Sequence, residues 1–235
     1  MKFLDFIDLE YINQALVFET PESKVFGKIE TYSCKSVGLD KKLFSKMETK
    51  ISNEIKEAAS ISPDCTYFGS LISKRSPFGS LKDLSSRKVF YHLISTLNAS
   101  FPDYEFSDLK PDQFEKIHSL NNAVNAINQA LISCGGQSVV NSFGLWEAID
   151  KIIDLEDTEI YSYIPDMDAD PFTEVGCIWS FNYFFVNKKL KRIIFFTCRS
   201  VSIKRIDEGL GSSPLDDIDT IGMDYDDYIM AGLDV

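Results

Sequence analysis

Long apolar runs are missing from this chain. The uninterrupted aliphatic and aromatic stretches at Tyr183–Val186 and Ile193–Phe196 are four residues each, against the roughly 20 that a membrane-spanning helix needs. The opening residues, MKFLDFIDLE, place acids among their apolar positions and lack the basic and continuous apolar regions of a signal peptide, so no membrane partner is expected. Cysteine is sparse. Cys34, Cys65, Cys134, Cys177 and Cys198 are scattered, form no C-x-x-C pair and leave one thiol over in any pairing scheme, the usage of a cytosolic or nuclear protein with reduced thiols. Only two histidines occur, His92 and His118, with no Cys or Asp at ligand spacing, and each reads as a packed or surface residue. There is no P-loop, no dinucleotide fingerprint, no nucleophile elbow and no H-E-x-x-H; hence no catalytic residue, metal or cofactor is expected.

Positive charge is also in deficit. Lys and Arg number 24 against 36 acids, a formal charge of -12 over 235 residues. Such a balance argues against a broad grip on nucleic-acid phosphates, which is built from Lys and Arg that displace counterions, and no strong direct nucleic-acid binding is expected. The acids are unevenly spread. Residues 207–235 hold nine of them and no base, so residues 1–206 carry 27 acids and 24 bases, a net of only -3. This predicts one globular domain over 1–206 and an acidic, disordered tail over 207–235.

What is present is a change of period along the chain. Leu9, Ile12 and Leu16 give a short helical start; LVFET and KVFGKIETYS flank Pro21-Glu22-Ser23 as strand–turn–strand. From Asp40, Leu43, Met47, Ile51 and Ile55 recur at helical spacing. Residues 60–86 hold eight serines without a sustained period and read as a mobile loop. Ser85 or Ser86 then caps a helix carrying Phe90, Leu93, Ile94 and Leu97. Pro111 opens another with Phe114, Ile117, Val124, Ile127 and Leu131 inward, ended by Gly135-Gly136. Leu145, Ile149, Ile152 and Ile153 mark one more. After that, EIYSYIP, CIWSFNYFFV and RIIFFTCRSV are strand-like, with NKKL as a hairpin turn. In CIWSFNYFFV, Trp179, Phe181, Tyr183 and Phe185 share one face and read as core. Strands, then helices, then strands predicts an α+β fold, an α/β sandwich with a central antiparallel sheet of about five strands.

Two strings carry candidate chemistry. Asp166-Met-Asp168-Ala-Asp170 opens like a calcium loop, but Pro171 stands where the turn requires Gly and Cys177 where a bidentate Glu belongs. The string therefore reads as a turn-forming or protein-contact loop, with Asp166, Asp168 and Asp170 as exposed partner contacts. Lys188, Lys189, Lys191 and Arg192 are the densest basic cluster, placed at the hairpin turn. It reads as a solvated turn, a nuclear-import signal or a docking patch, which Lys204 and Arg205 extend. The acidic tail is positioned to fold back on it. Ser62 and Ser76 each precede a proline, and Ser76 follows Lys74-Arg75, so both are candidate phosphorylation sites; a phosphate adds about -1.5 to -2 charges.

Three blocks make the sequence recognisable: KVFGKIETYSCK (24–35), SRKVFYHLISTLNASFPDYEFS (86–107), and IYSYIPDMDADPF (160–172) continuing through WSFNYFFVNKKLKRIIFFTCRS (179–200). Together they resemble the eukaryotic Maf repressor family, negative regulators of RNA polymerase III transcription. The resemblance implies a non-enzymatic protein that binds clamp-side subunits of RNA polymerase III. It would block recruitment of the polymerase by TFIIIB, through the TFIIB-related subunit, at tRNA and 5S genes under stress or nutrient limitation. It further implies control by regulatory kinases and phosphatases within target-of-rapamycin signalling, and shuttling between nucleus and cytoplasm with import and export factors. Lys188, Lys189, Lys191 and Arg192 would match the import signal, and 60–86 the phosphorylated segment. In some members that segment is far longer, and here Lys74-Arg75 is its only basic pair. The alternatives are an enzyme with a dispersed site, for example around Tyr183, Arg199 and Asp168, and a general nucleic-acid binder using 188–192.

Overall fold

The computed structural model describes residues 1–35, 42, 44–53, 76–165 and 170–204. Seven antiparallel strands form one sheet: β1 (Lys2–Leu4), β2 (Val17–Glu19), β3 (Ser23–Ser33), β4 (Phe114–Ile117), β5 (Glu159–Tyr163), β6 (Cys177–Asn187) and β7 (Arg192–Ser202). Their order is β1-β3-β7-β6-β5-β4, with β2 also pairing β3. The α+β class and antiparallel sheet are as the sequence predicts, but seven strands replace the expected five. The two additions are β1, a three-residue strand too short to show a period, and β4. The predicted helix from Pro111 through Leu131 is in fact divided. Pro111–Gln113 is a single 3-10 turn, Phe114–Ile117 pairs with β5, and the helix begins only at Leu120. Ser119 sets that start, its Oγ accepting from the Asn122 N–H at 3.4 Å.

Helices cover both faces of the sheet. On one side lie α2 (44–53) and α3 (Leu84–Ser100), on the other α1 (Ile7–Ala15), α4 (Leu120–Ser133), α5 (Gln137–Ser142) and α6 (Leu145–Ile153). The alternation of β6 and β7 divides their side chains between two cores. Phe184, Val186, Ile193 and Phe195 join α2 and α3, with Phe90, Leu93, Ile94 and Leu97 packed above them. Phe185, Ile194, Phe196 and Cys198 join Ile12, Leu16, Ile127, Leu131, Ile149 and Ile153. Each fully buried aliphatic or aromatic side chain contributes about 1.5–3 kcal/mol, which makes these two layers the main source of stability. Trp179, Phe181 and Tyr183 belong to the second core but are only half-buried toward the β6 start.

The segment read as a loop over 60–86 is described only from Ser76, and that part is packed. Phe78 and Leu81 are buried in the first core, Phe78 stacking on Tyr161 with centroids 5.0 Å apart. The helix starts earlier than Ser85, after Asp83. The tail beyond Lys204 lies outside the described residues.

The outer edge of β3 is closed in an unusual way. β1 pairs with Thr31–Ser33 and β2 with Lys24–Phe26, leaving a gap between them. Helix α1, which joins the two short strands, fills it. Asn13 Oδ1 accepts from Ile29 N–H at 2.7 Å, Asn13 Nδ2 donates to Ile29 O at 3.1 Å, and Gly27 N–H donates to Leu16 O at 3.1 Å. Glycine suits that approach, since a Cβ at 27 would meet Leu16 Cβ at 3.1 Å and Cys198 Sγ at 3.3 Å, and these neighbours would have to give by a few tenths of an ångström.

Candidate functional site

The turn between β6 and β7 holds the four predicted cations. Asn187 shapes it, its Oδ1 accepting from Leu190 N–H at 2.9 Å and its Nδ2 donating to Ile153 O at 2.8 Å. Lys191 takes φ of 54°, the left-handed region, and its carbonyl accepts from Cys34 N–H at 2.9 Å. Most of the charge is committed within the protein. Lys188 Nζ lies 2.8 Å from Glu159, and Lys189 Nζ 2.7 Å from Asp157. Arg192 Nη1 donates to Ile152 O at 2.7 Å at the end of α6, and its guanidinium stands over the Phe6 ring at 5.7 Å. Burial pushes the Glu159 carboxyl up, but hydrogen bonds from Lys188 and Tyr161 and the charges of Lys188 and Lys116 outweigh it, and the carboxyl titrates below its ordinary value. Asp157 in turn raises the Lys189 ammonium. Three of the cations therefore project into solvent, while Arg192 is half-buried and ties the turn to a helix end. Of the four, Lys191 alone has no described side-chain contact, and Arg192 is held by a carbonyl and a ring, without an acid. The expected extension of the patch by Lys204 fails, because Lys204 follows the far end of β7; Arg205 lies outside the described residues.

The acidic string divides as well. Asp166 and Asp168 lie outside the described residues. Asp170, expected at the surface, is 1% exposed. It accepts from the Tyr163 hydroxyl and, at 2.8 Å, from Phe172 N–H; burial pushes its carboxyl up. The reason is the neighbouring Arg199, 4% exposed, whose Nη1 donates to Pro171 O at 3.1 Å and lies 3.3 Å from Glu174. Glu174 also accepts from the Tyr104 hydroxyl. These contacts draw 170–174 onto the sheet and carry Asp170 inward. An alternating acidic string gives no sign of that inward turn. Ser62 lies outside the described residues, whereas Ser76 is half-buried and its Oγ accepts from Phe78 N–H at 3.3 Å.

A second basic surface was not singled out from the sequence. Helix α2 turns Met47 and Ile51 into the core and rests Phe44 against Tyr91, centroids 5.1 Å apart. The opposite face shows Lys46 and Lys50, and Lys42 one turn before them, all exposed. Lys50 pairs with Asp108 at 2.8 Å and, with a smaller contribution from the charge of Lys46, holds that carboxyl below its ordinary value, while Lys42 has no described acid partner. The signal was available as lysines at four-residue steps opposite the apolar positions.

A groove of about 550 Å³ runs along the outer edge of β3, with Lys28 and Glu30 in its wall. Lys28 Nζ lies 3.1 Å from Glu30 and donates to Ser100 O at 3.0 Å, and Glu30 also accepts from Tyr32 OH at 2.9 Å. Lys28 and Glu30 thus satisfy each other. The dispersed enzyme site is not assembled: Tyr183 faces the α1 and α4 layer, Arg199 the opposite face, and Asp168 is outside the described residues. Among the described residues, no cluster of three or more His, Cys, Asp or Glu is placed to hold a metal, and no helix is long and apolar enough to cross a membrane.

Comparison with known proteins converges. The family model "Maf1 regulator" matches residues 25–197. The fission yeast Schizosaccharomyces pombe protein named repressor of RNA polymerase III transcription maf1 is 39% identical over the whole of both chains. A Dictyostelium discoideum protein named repressor of RNA polymerase III transcription is 35% identical over 97% of this chain and 96% of its own. A crystal structure of citrus MAF1 superposes with a TM-score of 0.61 at 34% identity, covering 83% of this chain and 98% of that one.

Proposed function

Because the chain belongs to the Maf1 regulator family, we propose that it represses transcription by RNA polymerase III. It acts as a non-enzymatic interaction protein that binds clamp-side subunits of the polymerase and blocks its recruitment by TFIIIB, through the TFIIB-related subunit, at tRNA and 5S genes. The observation that carries this reading is the identity of 39% with the fission yeast repressor, spread over the entire length of both proteins. A steric repressor needs a rigid body that buries roughly 800 Å² per partner, and the two cores on either side of one continuous sheet supply it.

The proposal extends to control. Phosphorylation at Ser62 and Ser76, by kinases opposed by phosphatases, adds negative charge, in the case of Ser76 beside Phe78 of the first core, and weakens polymerase binding. The protein moves between nucleus and cytoplasm, with the turn at Lys188, Lys189, Lys191 and Arg192 engaged by import factors or by the polymerase. Lys191, without a described acid partner, is the cation freest to do so.

The test is a pull-down from nuclear extract with the wild type and with all four of those residues changed to Ala, beside factor-dependent transcription from a tRNA gene in vitro. The wild type is expected to retain polymerase III and depress transcription. If the purified chain does neither, the proposal fails.

A further inference from the structure

The exposed line of α2 has a property the turn lacks. Lys42, Lys46 and Lys50 stand at successive four-residue steps, so their stems leave the helix about 6 Å apart along one line. Among the described residues, the other exposed positions of this helix are Ser45, Thr49, Ser52 and Asn53, without a carboxylate. Like charges four apart oppose helix formation, and the one described acid facing the line, Asp108, is bonded to Lys50 and feels Lys46 only through its charge. Three cations thus share one described carboxylate.

We propose that this line is the intramolecular docking site for the acidic segment 207–235 of the same chain. The contact stands apart from the polymerase reading and does not depend on it.

Charge complementarity is the first support. The segment carries nine acids and no base, and the face it would meet carries, among the described residues, three exposed cations and no exposed acid. Spacing is the second. In an extended chain, residues two apart lie about 6.6 Å from each other. Asp217 with Asp219, and Asp224 with Asp226, therefore offer carboxylates at nearly the lysine pitch.

Position is the third support. Ser202 N–H donates to Gly176 O at 3.0 Å, at the end of β7 from which the segment departs. Two residues before Gly176, Glu174 accepts from the Tyr104 hydroxyl, and the loop that carries Tyr104 also carries Asp108, the partner of Lys50. The chain thus leaves the sheet at the end toward which Lys50 points. The 188–192 turn lies beyond the other end of the eleven-residue β7, roughly 33 Å away. A random coil of about 20 residues, the length of the interval from Lys204 to Asp224, would have a root-mean-square reach of roughly 25 Å. That favours α2 over the turn and gives an effective concentration on the order of millimolar.

Zero-length carbodiimide coupling of the full chain, dilute and at low salt, followed by peptide mass spectrometry, reads the contact directly. Amide links are expected between Lys42, Lys46 or Lys50 and acids of 216–227. Their yield should fall on the order of tenfold in Lys42→Glu/Lys46→Glu and recover when Asp224→Lys/Asp226→Lys is added. Because the first pair alters a helix, the Asp224→Asn/Asp226→Asn chain provides a second reading. Its body is untouched, and the backbone amide resonances of 44–53 should shift. Tail links concentrated on Lys188, Lys189 or Lys191, no tail links at all, or amide resonances unmoved in the Asn variant would each overturn the proposal. So would tail links unchanged in Lys42→Glu/Lys46→Glu alongside weakened binding of an RNA or DNA duplex, which would assign the line to nucleic acid.

Discussion

At 188–192 four cations fall within five consecutive residues, whereas on α2 three cations are spread over nine. In the folded protein the ranking of available charge is reversed. The compact cluster is answered by Glu159, Asp157 and the Ile152 carbonyl, leaving Lys191 without a described acid. The dispersed one is answered by a single described acid, Asp108, which bonds Lys50. Density of charge along a sequence therefore measures something different from charge offered to a partner. A tight turn brings its residues against whatever flanks the strand ends, here the acids around β5, while the outer face of a helix meets fewer such neighbours.

The difference can be broken most forcefully at Arg192. Arg192→Ala removes a charge-assisted hydrogen bond at a helix end and a cation over an aromatic ring, and should lower unfolding free energy by about 2 kcal/mol, read from the urea midpoint. Lys191→Gly should act in the opposite sense, raising stability by about 0.5–1 kcal/mol, because a left-handed φ of 54° is strained for lysine and free for glycine. A loss of stability in that variant would show that the Lys191 side chain holds the turn.

Glu159 tests the pairing by pH. Its folded carboxyl titrates below the ordinary 4.5, so the stability it lends is present above that value and is lost as pH falls through the folded one. The urea midpoint of the wild type should exceed that of Glu159→Gln near pH 7 and converge with it toward pH 3. A gap that persists in acid would mean the ion pairs with Lys188 and Lys116 are idle. The smallest effect belongs to α2. Lys42→Ala/Lys46→Ala should leave stability within about 0.5 kcal/mol of the wild type, and a larger loss would show that those lysines serve the fold.

The elements legible in the sequence were those with a sustained period. Leu145, Ile149, Ile152 and Ile153 mark α6, and the aromatic alternation of CIWSFNYFFV marks β6. β1 and β4, at three and four residues, are too brief for a period to emerge, and β4 sits between a proline and an apolar helical pattern that conceals it. The site was legible as residue types but not as environments. Asp170 was read as exposed because it alternates with other acids, yet its position depends on Arg199, 29 residues away on another strand. The lysines at 42, 46 and 50 share their segment with Leu43, Met47 and Ile51, whose apolar period dominates the pattern and conceals the basic one.

The edge of β3 bears on how this protein behaves at high concentration. A strand whose outer N–H and C=O groups are unpaired is a template on which a second molecule can add a strand and begin a filament. The Asn13 amide, which presents one acceptor and one donor as a peptide unit does, occupies Ile29 at the midpoint of that edge. A single side chain thereby helps keep the molecule from polymerising, in a place where β1 and β2 together fall short of covering the strand.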